Sequence, residues 1–227
     1  MEPPDAGEEH DLMSVLGHEL RSPLTSIRGA ATLLIQAHAD LAPAKVEELL
    51  HVIDRQSGRL ADRVEDILVA GRVDAGRLAV FVEDVSVGGI VADEVETARL
   101  RSDRRRVRAT GPLHGTVSAD RERLQQVIRI LLDNAIRFSS PPASVELRVQ
   151  QFLDTIRIEV RDRGPGVPAA DRGRIFDRGV KLDAAGPGAG LGLYVARALV
   201  EAMAGEIGVE ARPGGGAVFW FSLPLAK

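Results

Sequence analysis

Between Leu12 and Gly71 the apolar residues keep two long helical rhythms, and this constrains the chain more than any other feature. Val46, Leu50, Ile53, Ser57, Leu60, Val64, Ile67 and Gly71 alternate at spacings of four and three, the repeat of a helix packed along a seam. Upstream, Met13, Leu16, Leu20, Leu24, Ile27, Ala31 and Leu34 trace a similar stripe. Leu41-Ala42-Pro43 separates the two, with Pro43 suited to the opening turn of the second helix. Such a hairpin cannot bury both seams alone, and a dimeric four-helix bundle is the economical solution. The alternative is a monomeric hairpin docked on the remainder of the chain.

Near residue 75 the pattern changes to alternating strands and helices. Leu78–Val82, Val107–Ala109 and Thr116–Ser118 read as short strands, and Val87–Arg101 as an amphipathic helix. Asp120–Phe138 reads as a helix with Asp120 as its N-cap. Val145–Phe152 and Thr155–Arg161 alternate apolar and polar residues as a hairpin. Leu191–Ala204 is expected to be a helix stopped by Gly205, followed by a hairpin of Ile207–Ala211 and Ala217–Leu223. The fold class is α+β: a helical hairpin over 8–74, then an α/β sandwich over 77–227 with one mixed sheet covered on one face by helices. The junction falls at Ala70–Gly76.

Composition narrows the chemistry. A formal net charge of -4 and 4% aromatic residues give no basis for a nucleic-acid or anionic-membrane partner. No cysteine is present, which removes disulfides, thiolate metal sites and thiol nucleophiles and fits a reducing compartment. No apolar run approaches the ~18–20 residues of a membrane span, and the acidic opening Met1–Asp11 lacks the features of a signal peptide.

Three segments carry the candidate chemistry. Gly188-Ala189-Gly190-Leu191-Gly192-Leu193 runs straight into a helix, and glycine backbone with free helix N–H groups suits a phosphate. No Gly-Lys-Ser/Thr follows, so it is not a Walker loop. Asp162-Arg163-Gly164-Pro165-Gly166 closes the central hairpin, where a carboxylate can accept from a purine's exocyclic amine and two glycines leave room for the ring. Leu131-Leu132-Asp133-Asn134-Ala135 sets a neutral amide, a competent magnesium ligand, in an apolar helix. Singly, each has a structural reading: a flexible loop, an Asp-Gly turn, a surface Asn.

In this order and spacing the three segments resemble the nucleotide-binding domain shared by histidine kinases, gyrase and the MutL repair proteins, over nearly all of residues 78–227. The resemblance implies ATP and Mg²⁺ as cofactors. It assigns the metal to Asn134, adenine to Asp162 with Gly164 and Gly166, and the phosphates to Gly188, Gly190, Leu191 and Gly192. Arg137 stands where the family often has a basic residue near phosphate. A lid spans roughly Val167 to Pro187, and Arg174-Ile175-Phe176-Asp177 resembles the kinase's phenylalanine box.

Ser14-Val15-Leu16-Gly17-His18-Glu19-Leu20-Arg21-Ser22-Pro23-Leu24 resembles the phosphoacceptor box of histidine kinases. His18 lies two residues from both Leu16 and Leu20, about 200° around the helix from each, so it projects off the seam. Imidazole, with an ordinary pKa of about 6.5, is mostly the neutral nucleophile near pH 7. Glu19 is suited to orient the ring or accept its proton. Pro23 removes a helical N–H and predicts a bend there. The other histidines, His10, His38, His51 and His114, lack such neighbours.

The implied activity is ATP-dependent autophosphorylation of His18, followed by transfer to an Asp of a separate response regulator. The expected assembly is a homodimer. The expected location is cytoplasmic, as a whole protein or as the cytosolic portion of a membrane-anchored sensor. Two rivals remain: a gyrase-like or MutL-like ATPase, marked by hydrolysis without labelling of the chain, and a non-catalytic adaptor, marked by failure to bind Mg-ATP. Two positions depart from the family pattern. Ile130 stands where a second Asn is frequent, and Ser22 where Thr or Asn commonly supports phosphatase activity.

Overall fold

A computed structural model describes residues 6–37, 41–101, 107–140, 143–182 and 189–226. The chain begins with a helical hairpin, α1 (Ala6–Ala37) and α2 (Pro43–Asp74). Pro43 opens α2, where its missing N–H costs nothing because the first helical amides have no partner in the helix. Helix α1 runs without interruption through Pro23. Just beyond it, the hydroxyls of Thr25 and Ser26 donate to the carbonyls of Arg21 (2.8 Å) and Ser22 (3.2 Å). No described helix is long and apolar enough to cross a membrane.

The second half is an α/β sandwich. In chain order it contains β1 (Glu83–Ser86), α3 (Val87–Arg101), β2 (Val107–Thr110), β3 (Thr116–Ala119) and α4 (Arg121–Phe138). There follow β4 (Val145–Gln151), β5 (Thr155–Arg161), α5 (Gly192–Ala202), β6 (Glu206–Ala211) and β7 (Ala217–Pro224). The main sheet has the order β2-β4-β5-β7-β6; β2 runs parallel to β4 and the other neighbours are antiparallel. One face carries Leu147, Val149, Ile156, Ile158, Val160, Phe221 and Leu223, all buried beneath the helices. Along the same strands, Arg157, Glu159, Arg161 and Trp220 fill the alternate positions on the other face. There the Arg157 guanidinium stacks 4.2 Å from the Trp220 ring.

Helix α4 supplies the centre of the core through Leu124, Val127, Ile128, Leu131 and Leu132, spaced to form one apolar stripe. Its start is fixed by Asp120, whose Oδ1 accepts from Arg123 N–H (3.2 Å) while Oδ2 accepts from Phe81 N–H (2.9 Å). Full burial of each such leucine contributes about 1.5–3 kcal/mol.

Three expectations are corrected. Leu78–Val82 is not a strand; Leu78 and Val80 pack against the core, the Phe81 amide donates to Asp120, and the strand begins at Glu83. The sheet is not single, because β1 pairs with β3 as a separate two-stranded ribbon, bridged to the main sheet through Val117 and Leu225. Helix α5 is shorter than expected: it spans Gly192–Ala202, and the left-handed residue that ends it is Ala204 (φ 57°). Ala204 N–H donates to Glu201 O (3.0 Å) and Gly205 N–H to Val200 O (2.9 Å), the paired bonds of a Schellman stop. Gly205 is required there for space, since a Cβ would overlap the carbonyl of Ser222.

Left-handed backbone costs an alanine about 1–2 kcal/mol that a glycine avoids. Ala204→Gly is therefore expected to stabilise the sandwich by roughly 1 kcal/mol, raising its melting temperature by about 2–4 °C in a thermal scan.

Candidate functional site

At the carboxyl end of β5 the chain leaves the sheet through Asp162, whose side chain is nearly inaccessible (3% exposed). Its Oδ1 accepts from Gly164 N–H (2.8 Å) and Ala217 N–H (3.0 Å), and its own N–H donates to Ala217 O (3.0 Å). A buried carboxylate is tolerable only when hydrogen-bonded, and these amides meet that requirement. Next to Asp162 lies a cavity of ≈ 410 Å³, within the range of small-molecule sites.

One face of α4 forms a wall of that cavity. Ile130, Asp133, Asn134 and Arg137 recur at helical spacing and all line it. Arg137 also places its guanidinium 4.8 Å from the Phe138 ring. Across the cavity stand Ala189, Gly190, Leu191 and Gly192, which lead into α5. Among the described residues no side chain caps the α5 N-terminus, so its first-turn amides and the positive end of its dipole suit an anion. Gly192 packs on Ile130: a Cβ at 192 would meet Ile130 Cγ2 at 3.3 Å. The described part of the lid contributes Val167, Pro168, Ile175, Val180, Lys181 and Leu182 to the lining. Gly179 N–H donates to Gly190 O (3.2 Å), tying the lid to the second glycine segment. Ile175 and Phe176 are buried and anchor the lid's base in the core.

The structure therefore gathers Asn134, Arg137, Asp162, Gly166, Gly190, Leu191 and Gly192 around one cavity. Gly164 acts through its amide on Asp162. Gly188 lies outside the described residues, as does the lid segment 183–187. His18 and Glu19 belong to α1. The described residues contain no cluster of three or more His, Cys, Asp and Glu side chains able to hold a metal ion. The donor set is thus one amide oxygen, that of Asn134, beside the Asp133 carboxylate, which suits a cation that keeps most of its ligands from water and phosphate.

Sequence reasoning missed the contribution of α2. Arg63 and Asp66 line the same cavity, beside Arg129 of α4. Asp66 is 2% exposed: its Oδ1 accepts from Gln126 Nε2 (3.0 Å) and Arg129 (3.3 Å), and its Oδ2 pairs with Arg63 (3.4 Å). Arg129 also pairs with Asp62 (3.3 Å), and Arg123 with Glu65 (2.7 Å). One helical turn beyond Val69 and Ala70, which are buried, Asp74 accepts from the Tyr194 hydroxyl (2.7 Å) and pairs with Arg178 of the lid (3.2 Å). Burial first, and then the Asp74 carboxylate, push the Tyr194 phenol up to about 12. The available signal was an acidic stripe, Asp62, Glu65 and Asp66, set off the apolar seam; as sequence it is indistinguishable from a solvated face.

Comparison with known proteins agrees with this geometry. Residues 8–76 match the His Kinase A (phospho-acceptor) domain, and residues 119–227 match the histidine kinase-, DNA gyrase B-, and HSP90-like ATPase family. The adaptive-response sensory kinase SasA of Synechococcus sp. (strain JA-2-3B'a(2-13)) is 33% identical over 95% of this chain and 59% of its own length. The alginate biosynthesis sensor protein KinB of Pseudomonas aeruginosa is 29% identical over 92% of this chain and 36% of its own. Among solved structures, full-length ShkA in complex with AMPPNP aligns with a TM-score of 0.65 and 29% identity, covering 96% of this chain and 46% of that one. Across the relatives described, the chain spans between about a third and three-fifths of their length.

Removing one member of a buried ionic cluster strands the others, at about 3–5 kcal/mol. Asp66→Ala is expected to loosen the hairpin from the sandwich, seen as a larger radius of gyration in solution scattering and faster proteolysis within 75–82. A second outcome concerns pH. Because the folded-state pKa of Tyr194 is raised from 10 to about 12, its contribution is complete below pH 10 and lost as pH rises toward 12. The melting temperature of Tyr194→Phe should therefore fall less between pH 9.5 and 11.5 than that of the unmodified chain.

Proposed function

We propose that this chain, which belongs to the sensor histidine kinases, binds Mg-ATP in the cavity between α4, α5 and β5 and phosphorylates its own His18. The observation that carries this reading is the shared wall of the cavity. Arg63 and Asp66 of the phosphoacceptor hairpin line the same space as Asn134, Asp162 and the Gly190–Gly192 segment. His18 precedes the end of α1 by nineteen residues, and Asp62 follows the start of α2 by nineteen. At about 1.5 Å per residue, both stand about 28 Å from the turn. The backbone of His18 is thus level with the stretch of α2 that carries Asp62 and Arg63, which supports the assignment.

The division of labour follows from the chemistry of each group. With Oδ1 of Asp162 held by two amides, its other oxygen accepts from the adenine amine. The apolar walls contributed by Ile130, Ile175, Leu191 and Phe219 cover the ring. The amides at the α5 N-terminus, with Arg137 and Lys181, receive the phosphates. Asn134 offers its amide oxygen to a magnesium ion, whose chemistry is charge neutralisation across the phosphates. Ile130 makes apolar contact with Gly192 in place of a second amide. His18 attacks the γ-phosphorus in line through its neutral ring nitrogen, the bond to the bridging oxygen of ADP breaks, and Glu19 takes the ring proton.

Leu24, Leu50 and Val64 of the two seams are 55%, 53% and 42% exposed in the single chain, which supports burial against a second copy as a four-helix bundle. The phosphoramidate on His18 is a reactive donor, and an aspartate of a separate response regulator is its acceptor. The boundaries 8–74 and 77–227 divide the two tasks.

Incubation with γ-labelled ATP and magnesium is expected to label the chain with an acid-labile, alkali-stable phosphate that is absent from His18→Gln. Asn134→Ala should retain the fold and lower the labelling rate by at least about tenfold. Hydrolysis of ATP without label on the native chain would remove the kinase reading.

A further inference from the structure

On the side of Asp162 away from the cavity lies an arginine that the reading above leaves without a task. The Arg212 side chain is 8% exposed, so a full guanidinium charge is buried at the foot of the β6–β7 turn. Its carboxylate partner there is Glu146 of β4, at a long 3.5 Å, and Glu146 is shared with Arg108 (3.6 Å) and Thr110 (2.9 Å). Burial, and then Arg163 and Arg161 beside it, pull the Arg212 guanidinium below its ordinary range, while Glu146 and Asp162 favour its charge. Burying a cation in this company is costly unless hydrogen bonds of good geometry offset it, a task that the long contact to Glu146 does not complete.

That task is visible in its shorter contact. Arg212 NH1 donates to the carbonyl oxygen of Asp162 at 2.9 Å. The same residue closes the turn through its backbone: Arg212 N–H donates to Gly216 O, and Gly215 N–H to Arg212 O, both at 3.1 Å. Gly216, at φ 101°, lies so close to Asp162 that any Cβ would overlap the Asp162 carbonyl. The following residue, Ala217, accepts from Asp162 N–H through its carbonyl and donates its own N–H to Asp162 Oδ1. Asp162 is thereby clamped on two sides: amides hold its carboxylate, and a buried cation holds its peptide.

We propose that Arg212, braced by Glu146, is a positioning residue that fixes Asp162 and so sets the preference of the site for a purine bearing a 6-amino group. The proposal rests on the reading of Asp162 as the adenine acceptor. A loosened Asp162 peptide lets the carboxylate swing, and the geometry lost is that of one hydrogen bond to the base. The phosphate contacts assigned above are made by other segments and are unaffected.

The test is calorimetric titration of the full chain, in magnesium, with ADP and with inosine diphosphate, which carries a 6-oxo group. The unmodified chain is expected to bind ADP more tightly. In Arg212→Met the Kd for ADP should rise about tenfold while that for inosine diphosphate stays within about twofold, collapsing the ratio. Arg212→Lys, which keeps the charge, should recover part of the ratio. If Arg212→Met does not fold, Glu146→Gln decides, with an expected loss of about threefold in the same ratio. An unchanged ratio, or equal weakening of both nucleotides, overturns the proposal and leaves Arg212 a purely structural brace. An unmodified chain that binds ADP without preferring it over inosine diphosphate overturns the assignment of Asp162 itself, and this inference with it.

Discussion

A single carboxylate oxygen, Oδ1 of Asp162, ties together three neighbouring segments that line the cavity. It takes one amide from the glycine loop that follows β5 and one from the start of β7. A charge this deeply enclosed needs both bonds, so strand exit, loop and neighbouring strand are placed together or not at all. The register of the central sheet serves the same end, since Arg161 of β5 lies opposite Val218 and brings Asp162 beside Ala217. Helix α4 then closes the space from above, its apolar stripe on the sheet and its Ile130–Arg137 face toward the cavity.

Much of this was legible in the sequence, because it rests on local chemistry. Asp120 before an apolar helix reads as a cap, and in the structure it is one. The alternation in 145–161 reads as a hairpin, and the same alternation gives the sheet its buried and charged faces. The glycine segments read as places where backbone meets a ligand. Their convergence on one cavity came from the family resemblance rather than from the residues singly.

The remainder was hidden for physical reasons. Strand β1 offers one buried side chain, Val85, among Glu83, Asp84 and Ser86, so no alternation announces it; its partner β3 makes it a strand. Ala204 takes a left-handed conformation that sequence would assign to the glycine beside it, whereas Gly205 is needed for space against the Ser222 carbonyl. The contact of Asp66 with Gln126 and Arg129 joins residues some sixty positions apart, and charges that far apart in sequence carry no pattern. In each case the deciding partner is distant, and propensity gives way to tertiary contact.

Helix α2 runs from Pro43 to Asp74 without a break and carries two different stripes. One is the apolar seam that includes Ile67 and Gly71, continued at Asp74, which holds Tyr194 and Arg178 of the lid; the other, Asp62, Glu65 and Asp66, grips α4. Neighbouring residues on a helix are separated by about 100° of arc, so the stripes sit on different sides of one rod. A rod transmits torque. Any twist applied to α2 through its seam turns the acidic stripe by the same angle, and sweeps Asp74 away from both its tyrosine and its lid arginine at once. The hairpin and the nucleotide cavity therefore share a single mechanical axis, with no flexible joint before Ala75.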